Sequence, residues 1–184
     1  MDDPRKVRFE NILDVGLTAS AMIRLFKKDS KEMLREKIGD YVRKIFEAKS
    51  KEEFDTIHSE FCDWGIKTIP LAKKVIFASY GQIAKTFNVV LKVAIYYSHL
   101  PSYEKSKQLL EWLHAAVDTK MMEHLKQYRS KDAQEWPTTI EKVDEKKYCE
   151  IQRTVGKAIE VEYHGSITLV EFDDIKWRKL NRND

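Results

Sequence analysis

Six side chains with chemistry to offer fall on one seam of a single predicted helix. At about 100° per residue, Lys85, Asn88, Lys92, Tyr96 and His99 share an arc of roughly 80° with Gly81, and Gln82 sits at its edge. Ile83, Ala84, Phe87, Val89, Val90, Leu91, Val93, Ala94 and Ile95 fill the remaining circumference. Such a helix has neighbours on most sides, and its polar seam faces a cleft or a gap to solvent. No Asp or Glu occurs from Trp64 to Tyr103, whereas Lys67, Lys73, Lys74, Lys85 and Lys92 do. Lysine at a helix centre resists full burial, so Lys85 and Lys92 must reach water, a distant carboxylate or an anionic ligand. The chemistry on offer is recognition. Gln82 and Asn88 would orient a bound group by hydrogen bonds, the two ammonium groups would supply charge, and Tyr96 and His99 would finish one end. The competing explanation is architectural: the lysines lay their stems on the core and keep their ammonium groups wet.

Other reactive patterns are fragmentary. Phosphate-cradling loops need clustered glycines, and the six present are scattered from Gly16 to Gly165. There is no G-x-S-x-G elbow, no H-E-x-x-H and no C-x-x-C pair. Asp55-x-x-His58 and Glu111-x-x-His114 each place a carboxylate and an imidazole on one helix face, as in di-iron bundles. In so acid-rich a chain, composition alone produces such pairs. His58-x-x-x-Cys62 lacks the second pair that a closed zinc site needs. No metal and no cofactor is therefore assigned. Cys62, between Phe61 and Trp64, reads as a packed, inert thiol. Tyr96-Tyr97-Ser98-His99 holds a candidate acid or base, although a histidine beside tyrosines at a helix end more often simply packs.

The elements that must position these residues follow from composition and pattern. The chain has 184 residues, 33 Lys plus Arg against 30 Asp plus Glu (net charge +3), 42% hydrophobic residues, and only 6 Gly and 4 Pro. That excludes a disordered or collagenous chain and argues against an all-β sandwich. The expectation is a mainly α, compact multi-helix domain covering residues 1–184, with a small C-terminal β-hairpin in a subregion at 134–184. Helical patterns run over residues 5–27, from the Asp29-x-x-Glu32 box, and from Ser50-x-x-Glu53 to a terminator at Gly65. Others run from Ser79-x-x-Gln82 to Ser98, over 102–128, and from Thr138-x-x-Glu141. Arg129-Ser130-Lys131-Asp132 reads as a loop. Ile159-Glu160-Val161-Glu162-Tyr163 alternates with period two, His164-Gly165 can turn, and Ser166 to Phe172 is β-rich, which together read as a hairpin. The N-terminus lacks a secretory pattern, and Lys85, Asn88 and Lys92 interrupt the most apolar stretch, so neither export nor membrane insertion is expected. A cytoplasmic setting with both cysteines free follows.

Tyr80-Gly81-Gln82-Ile83-Ala84-Lys85-Thr86-Phe87-Asn88, continuing to Leu91-Lys92, resembles a YGQ-x-x-K-x-x-N-x-x-x-K segment of small, functionally uncharacterised prokaryotic helical proteins. The similarity extends to Trp136 and to Val170-Glu171-Phe172 before Trp177. It implies no activity and no catalytic residue, but it points to the same helix as the wheel. The reading that follows is a non-enzymatic binding or interaction protein that holds an anionic ligand or a protein partner along Gln82, Lys85, Asn88, Lys92, Tyr96 and His99. A nucleic-acid-binding protein or small nuclease is one alternative, although the basic tail at Lys176, Arg178, Lys179 and Arg182 reads as a solvated terminus. An enzyme on an anionic small molecule is another, with Glu111, His114 or Asp118 brought to the seam by the neighbouring helix. The oligomeric state is left open.

Overall fold

Polar side chains open the helices. In the computed structural model, which describes residues 3–73, 76–130 and 135–181, Asp3 caps α1 (Pro4–Ala19) by accepting from Arg5 N–H. No side-chain cap precedes α2 (Ser30–Glu47), where Asp29 is itself helical. Ser50 caps α3 (Lys51–Thr68), and Ser79 caps α4 (Tyr80–Leu91) in a reciprocal box with Gln82. Ser102 caps α5 (Tyr103–Leu110), Asp118 caps α6 (Thr119–Leu125), and Asp144 caps α7 (Glu145–Tyr163). Each satisfies a first-turn N–H that has no partner within the helix. The last helix, α8 (Leu169–Asn181), follows Thr168. Lys74, Lys131, Asp132 and Arg182, which entered the sequence reading, lie outside the described residues.

One hydrophobic cluster joins all of these elements except the outer faces, from Leu13 of α1 through Ile38 of α2 and Phe61 of α3 to Phe172 of α8. At its centre lies α4, packed against α1, α3, α7 and two short 3-10 turns (Ala21–Leu25 and Ile140–Lys142). Ile83, Phe87 and Leu91 are fully buried. Close approach needs glycine at two places. A Cβ on Gly16 of α1 would lie 2.9 Å from Val90 Cα, and one on Gly65 of α3 would lie 2.6 Å from Ile83 Cγ2. Gly65 therefore lies inside α3 rather than ending it. Beyond Leu91 the helix widens into a π-helical turn, Lys92–Tyr97, closed by Ser98 N–H donating to Val93 C=O (3.1 Å).

The mainly α class holds, but the C-terminal β-hairpin does not exist. Among the described residues there is no strand, and the only β features are two isolated bridges, Phe26–Leu71 and Pro70–Phe77. Ile159 to Tyr163 form the last turns of α7, because Tyr148, Ile151, Val155, Ala158 and Ile159 make one continuous helical face that outweighs five alternating residues. His164 and Gly165 adopt left-handed conformations (φ 52° and 69°) and end the helix instead of turning a hairpin. Thr168 and Glu171 then form a reciprocal capping box, with Thr168 N–H donating to Glu171 Oε2 (2.8 Å) and Glu171 N–H to Thr168 Oγ1 (3.4 Å). The subregion 134–184 is thus helical wherever it is described, apart from its loops.

The helix expected over 102–128 is also broken. Between α5 and α6, residues 113–118 run as irregular chain with Leu113, Ala115 and Val117 buried. Backbone taken out of a helix inside a protein must find other partners. Ala115 finds them in side chains: its C=O accepts from Asn88 Nδ2 (3.0 Å) and Gln152 Nε2 (2.9 Å), and its N–H donates to Gln152 Oε1 (3.0 Å). No helix among the described residues is long and apolar enough to cross a membrane.

Candidate functional site

The polar seam of α4 separates in three dimensions. Gln82 turns back to its own cap, where Oε1 accepts from Ser79 N–H (2.9 Å) while Nε2 is buried without a partner. Lys85 faces Asp118 (3.7 Å), and Lys92 Nζ lies 2.9 Å from both Asp173 and Asp174. Burial opposes the charge on Lys92, but Asp173 and Asp174 outweigh it and hold the ammonium above its ordinary range. Tyr96 is half-buried against Tyr97, and His99 is exposed with its ring edge-on to Tyr103. Lys85 and Lys92 share an open cleft of about 520 Å³. Asn88 points the other way.

On that other side the irregular 113–118 segment brings His114 against α3 and α7, and a chain of hydrogen bonds results. Asp55 Oδ1 lies 3.0 Å from His114 Nε2, and His114 Nδ1 lies 2.8 Å from Tyr148 Oη. Asn88 Nδ2 donates to Tyr148 Oη (2.9 Å), Asn88 Oδ1 lies 2.8 Å from His58 Nε2, and His58 Nδ1 lies 3.8 Å from the Cys62 sulfur. One assignment of protons satisfies every member. Cys62 donates to His58, His58 to Asn88, Asn88 to Tyr148, Tyr148 to His114, and His114 to an ionised Asp55; these tautomers are inferred from the network. Lys51 Nζ completes the outer end, donating to Asp55 Oδ1 (2.5 Å).

The protonation states follow from burial and partners. Burial, then the nearby His114, pushes His58 down to about 3. Burial likewise lowers His114 against the hydrogen bond to Asp55. For Asp55, burial works against the charge, yet the hydrogen bonds from His114 and Lys51 outweigh it and keep the carboxyl below its usual range. Burial raises both the Tyr148 hydroxyl and the Cys62 thiol well above their ordinary values.

The relay borders a cleft of about 470 Å³ between α3 and α7, with Tyr80 and Leu169 on its walls. Along α7, Glu145, Cys149, Arg153 and Gly156 succeed one another at one-turn intervals and all line it. A Cβ on Gly156 would meet nothing within 4 Å, so the missing side chain opens the cleft. Glu145 accepts from Ser59 Oγ (2.9 Å), whereas Arg153 is exposed and makes no ion pair among the described residues. No family model, curated protein or solved structure matches the chain.

Of the side chains in this relay, only Asn88 belongs to the predicted polar seam of α4. By sequence His114 is an imported partner, and Asp55, His58 and Cys62 are metal-like fragments; Asp55 and His58 share a face of α3 yet bind different partners. Among the described residues no group of three or more His, Cys, Asp or Glu is set to hold a metal. Lys51, Tyr148, Cys149 and Arg153 carried no signal beyond their residue type, because only the fold brings α7 opposite α3. Glu111 takes no part, whereas Asp118 does meet Lys85.

Proposed function

We propose that the protein binds a small anionic molecule, without transforming it, in the cleft between α3 and α7. Arg153 meets the anionic group, the Lys51–Asp55 pair offers a donor and an acceptor on the facing wall, and the body of the ligand lies over Gly156 against Leu169. One observation supports binding over catalysis. Both ring nitrogens of His58 and His114 and the Tyr148 hydroxyl already have partners within the protein, and burial holds both imidazoles below and the hydroxyl above their ordinary values. A general acid or base works best with a value close to the operating pH. A relay fixed in one protonation state is instead a rigid, polarised wall, and Asn88 is the pin that holds it to the central helix.

Thermal denaturation with inorganic phosphate, succinate and other small carboxylates tests this reading. A ligand at a hundred times its Kd stabilises the folded state by about 2.7 kcal/mol. The shift is expected in the wild type and lost in Arg153→Ala and Gly156→Leu, both of which should fold. If no small anion stabilises the wild type, or the variants respond equally, the proposal fails.

A further inference from the structure

On the opposite side of α4 lies the second cleft, bounded by α4, α8 and the chain entering α6. Its two lysines differ in kind. Lys92 is saturated by Asp173 and Asp174, and Asp174 is also engaged by the Tyr97 hydroxyl. Lys85 meets a single carboxylate, Asp118, at 3.7 Å, beyond hydrogen-bond reach, and the other Asp118 oxygen is committed to Met121 N–H (2.9 Å) as the α6 cap. The Lys85 side chain is only 13% exposed, so its stem is buried and its amine ends in the cleft. Ala21, Val93 and Ala116 supply short apolar walls, with Trp177 at the rim.

We propose that Lys85 is the reactive amine of a carbonyl-binding cleft that captures a small aldehyde or ketone as an imine. A lysine desolvated in an apolar-walled cleft and faced by one carboxylate beyond hydrogen-bond reach holds its proton less tightly, which frees an amine lone pair for attack. Burial lowers Lys85 against the opposing pull of Asp118 and Asp173. In the reaction Lys85 first gives one proton to solvent, and its neutral nitrogen forms the bond to the carbonyl carbon. The two remaining N–H protons pass by way of Asp118 to the former carbonyl oxygen, the C–O bond breaks, that oxygen leaves as water, and the product is the neutral imine. No oxidant or reductant takes part. The short walls limit the substrate to a small carbonyl compound, and Trp177 offers an aromatic face to it. The inference involves none of the residues of the α3–α7 cleft, so either site can fail without the other.

The folded wild-type protein incubated with pyridoxal or propanal, reduced with cyanoborohydride and mapped by peptide mass spectrometry, gives the test. A lowered lysine holds a larger share of free amine at neutral pH. Lys85 is therefore expected to carry more label than any surface lysine, despite its burial. Asp118→Asn should slow that labelling while leaving surface lysines unchanged, and Lys85→Met should remove it with helical content intact. Label spread over surface lysines with Lys85 unmodified overturns the proposal, and because that result is read on the wild type it does not depend on any variant folding.

Discussion

Asn88 shows what one side chain can be asked to do. Its amide bridges the carbonyl of Ala115, the hydroxyl of Tyr148 and the imidazole of His58, all within the core. Asn88→Leu keeps the volume and removes those bonds, leaving the His58 N–H with only the longer contact to the Tyr148 oxygen (3.4 Å) and the Ala115 carbonyl with one donor fewer. A loss of about 3 kcal/mol is expected in urea unfolding, because each buried group stripped of its partner costs roughly 1–3 kcal/mol. His58 gives the acid response. Its folded value is about 3 against an ordinary 6.5, so below 6.5 the unfolded chain takes up a proton that the folded chain refuses. Stability is full above pH 6.5 and falls as the pH drops, by about 1.4 kcal/mol per unit for each such histidine. His58→Gln should flatten the slope of stability between pH 6 and 4.5, leaving the part due to His114. The importance of position 88 was legible as a polar residue on an oily helix. Its partners were not, since they come from positions 58, 115 and 148, and no local spacing encodes that meeting.

The helices divide into those announced by their caps and those hidden by a competing pattern. Ser50, Ser79 and Ser102 stand where helices start. Thr168-x-x-Glu171 is the same signal, and it was masked by the β-branched residues around it. Thr168→Ala should cost about 1 kcal/mol and fray the first turn of α8 in hydrogen exchange. The interruption after α5 had no local mark, because it is stabilised by Gln152 and Asn88, far along the chain. Gly156 is the opposite case, a residue that weakens its own helix. Gly156→Ala, with open space for the methyl group, is expected to stabilise the protein by about 1 kcal/mol in thermal melts. A glycine retained in mid-helix at that cost fits a role for the space beside it.

At the scale of the molecule, α4 is the axis about which both clefts are arranged, and the fold depends on how closely its neighbours approach. Gly16 faces Val90 backbone, and Gly65 faces the branch point of Ile83, a fully buried β-branched side chain whose helical rotamer is fixed. Gly16→Ala and Gly65→Ala should each destabilise by the roughly 1–3 kcal/mol typical of overpacking, as read from denaturant midpoints. A mainly helical chain with a central α4 could be inferred from composition and the wheel. The division of its polar face between two openings could not, because that depends on where α7 and α8 come to rest. The two thiols carry a practical consequence. Cys62 is sealed in the core, and Cys149 stands half-open on the wall of the α3–α7 cleft. A maleimide dye should couple once per native chain and twice after denaturation, which places a single fluorophore where the arrival of a guest would change its brightness.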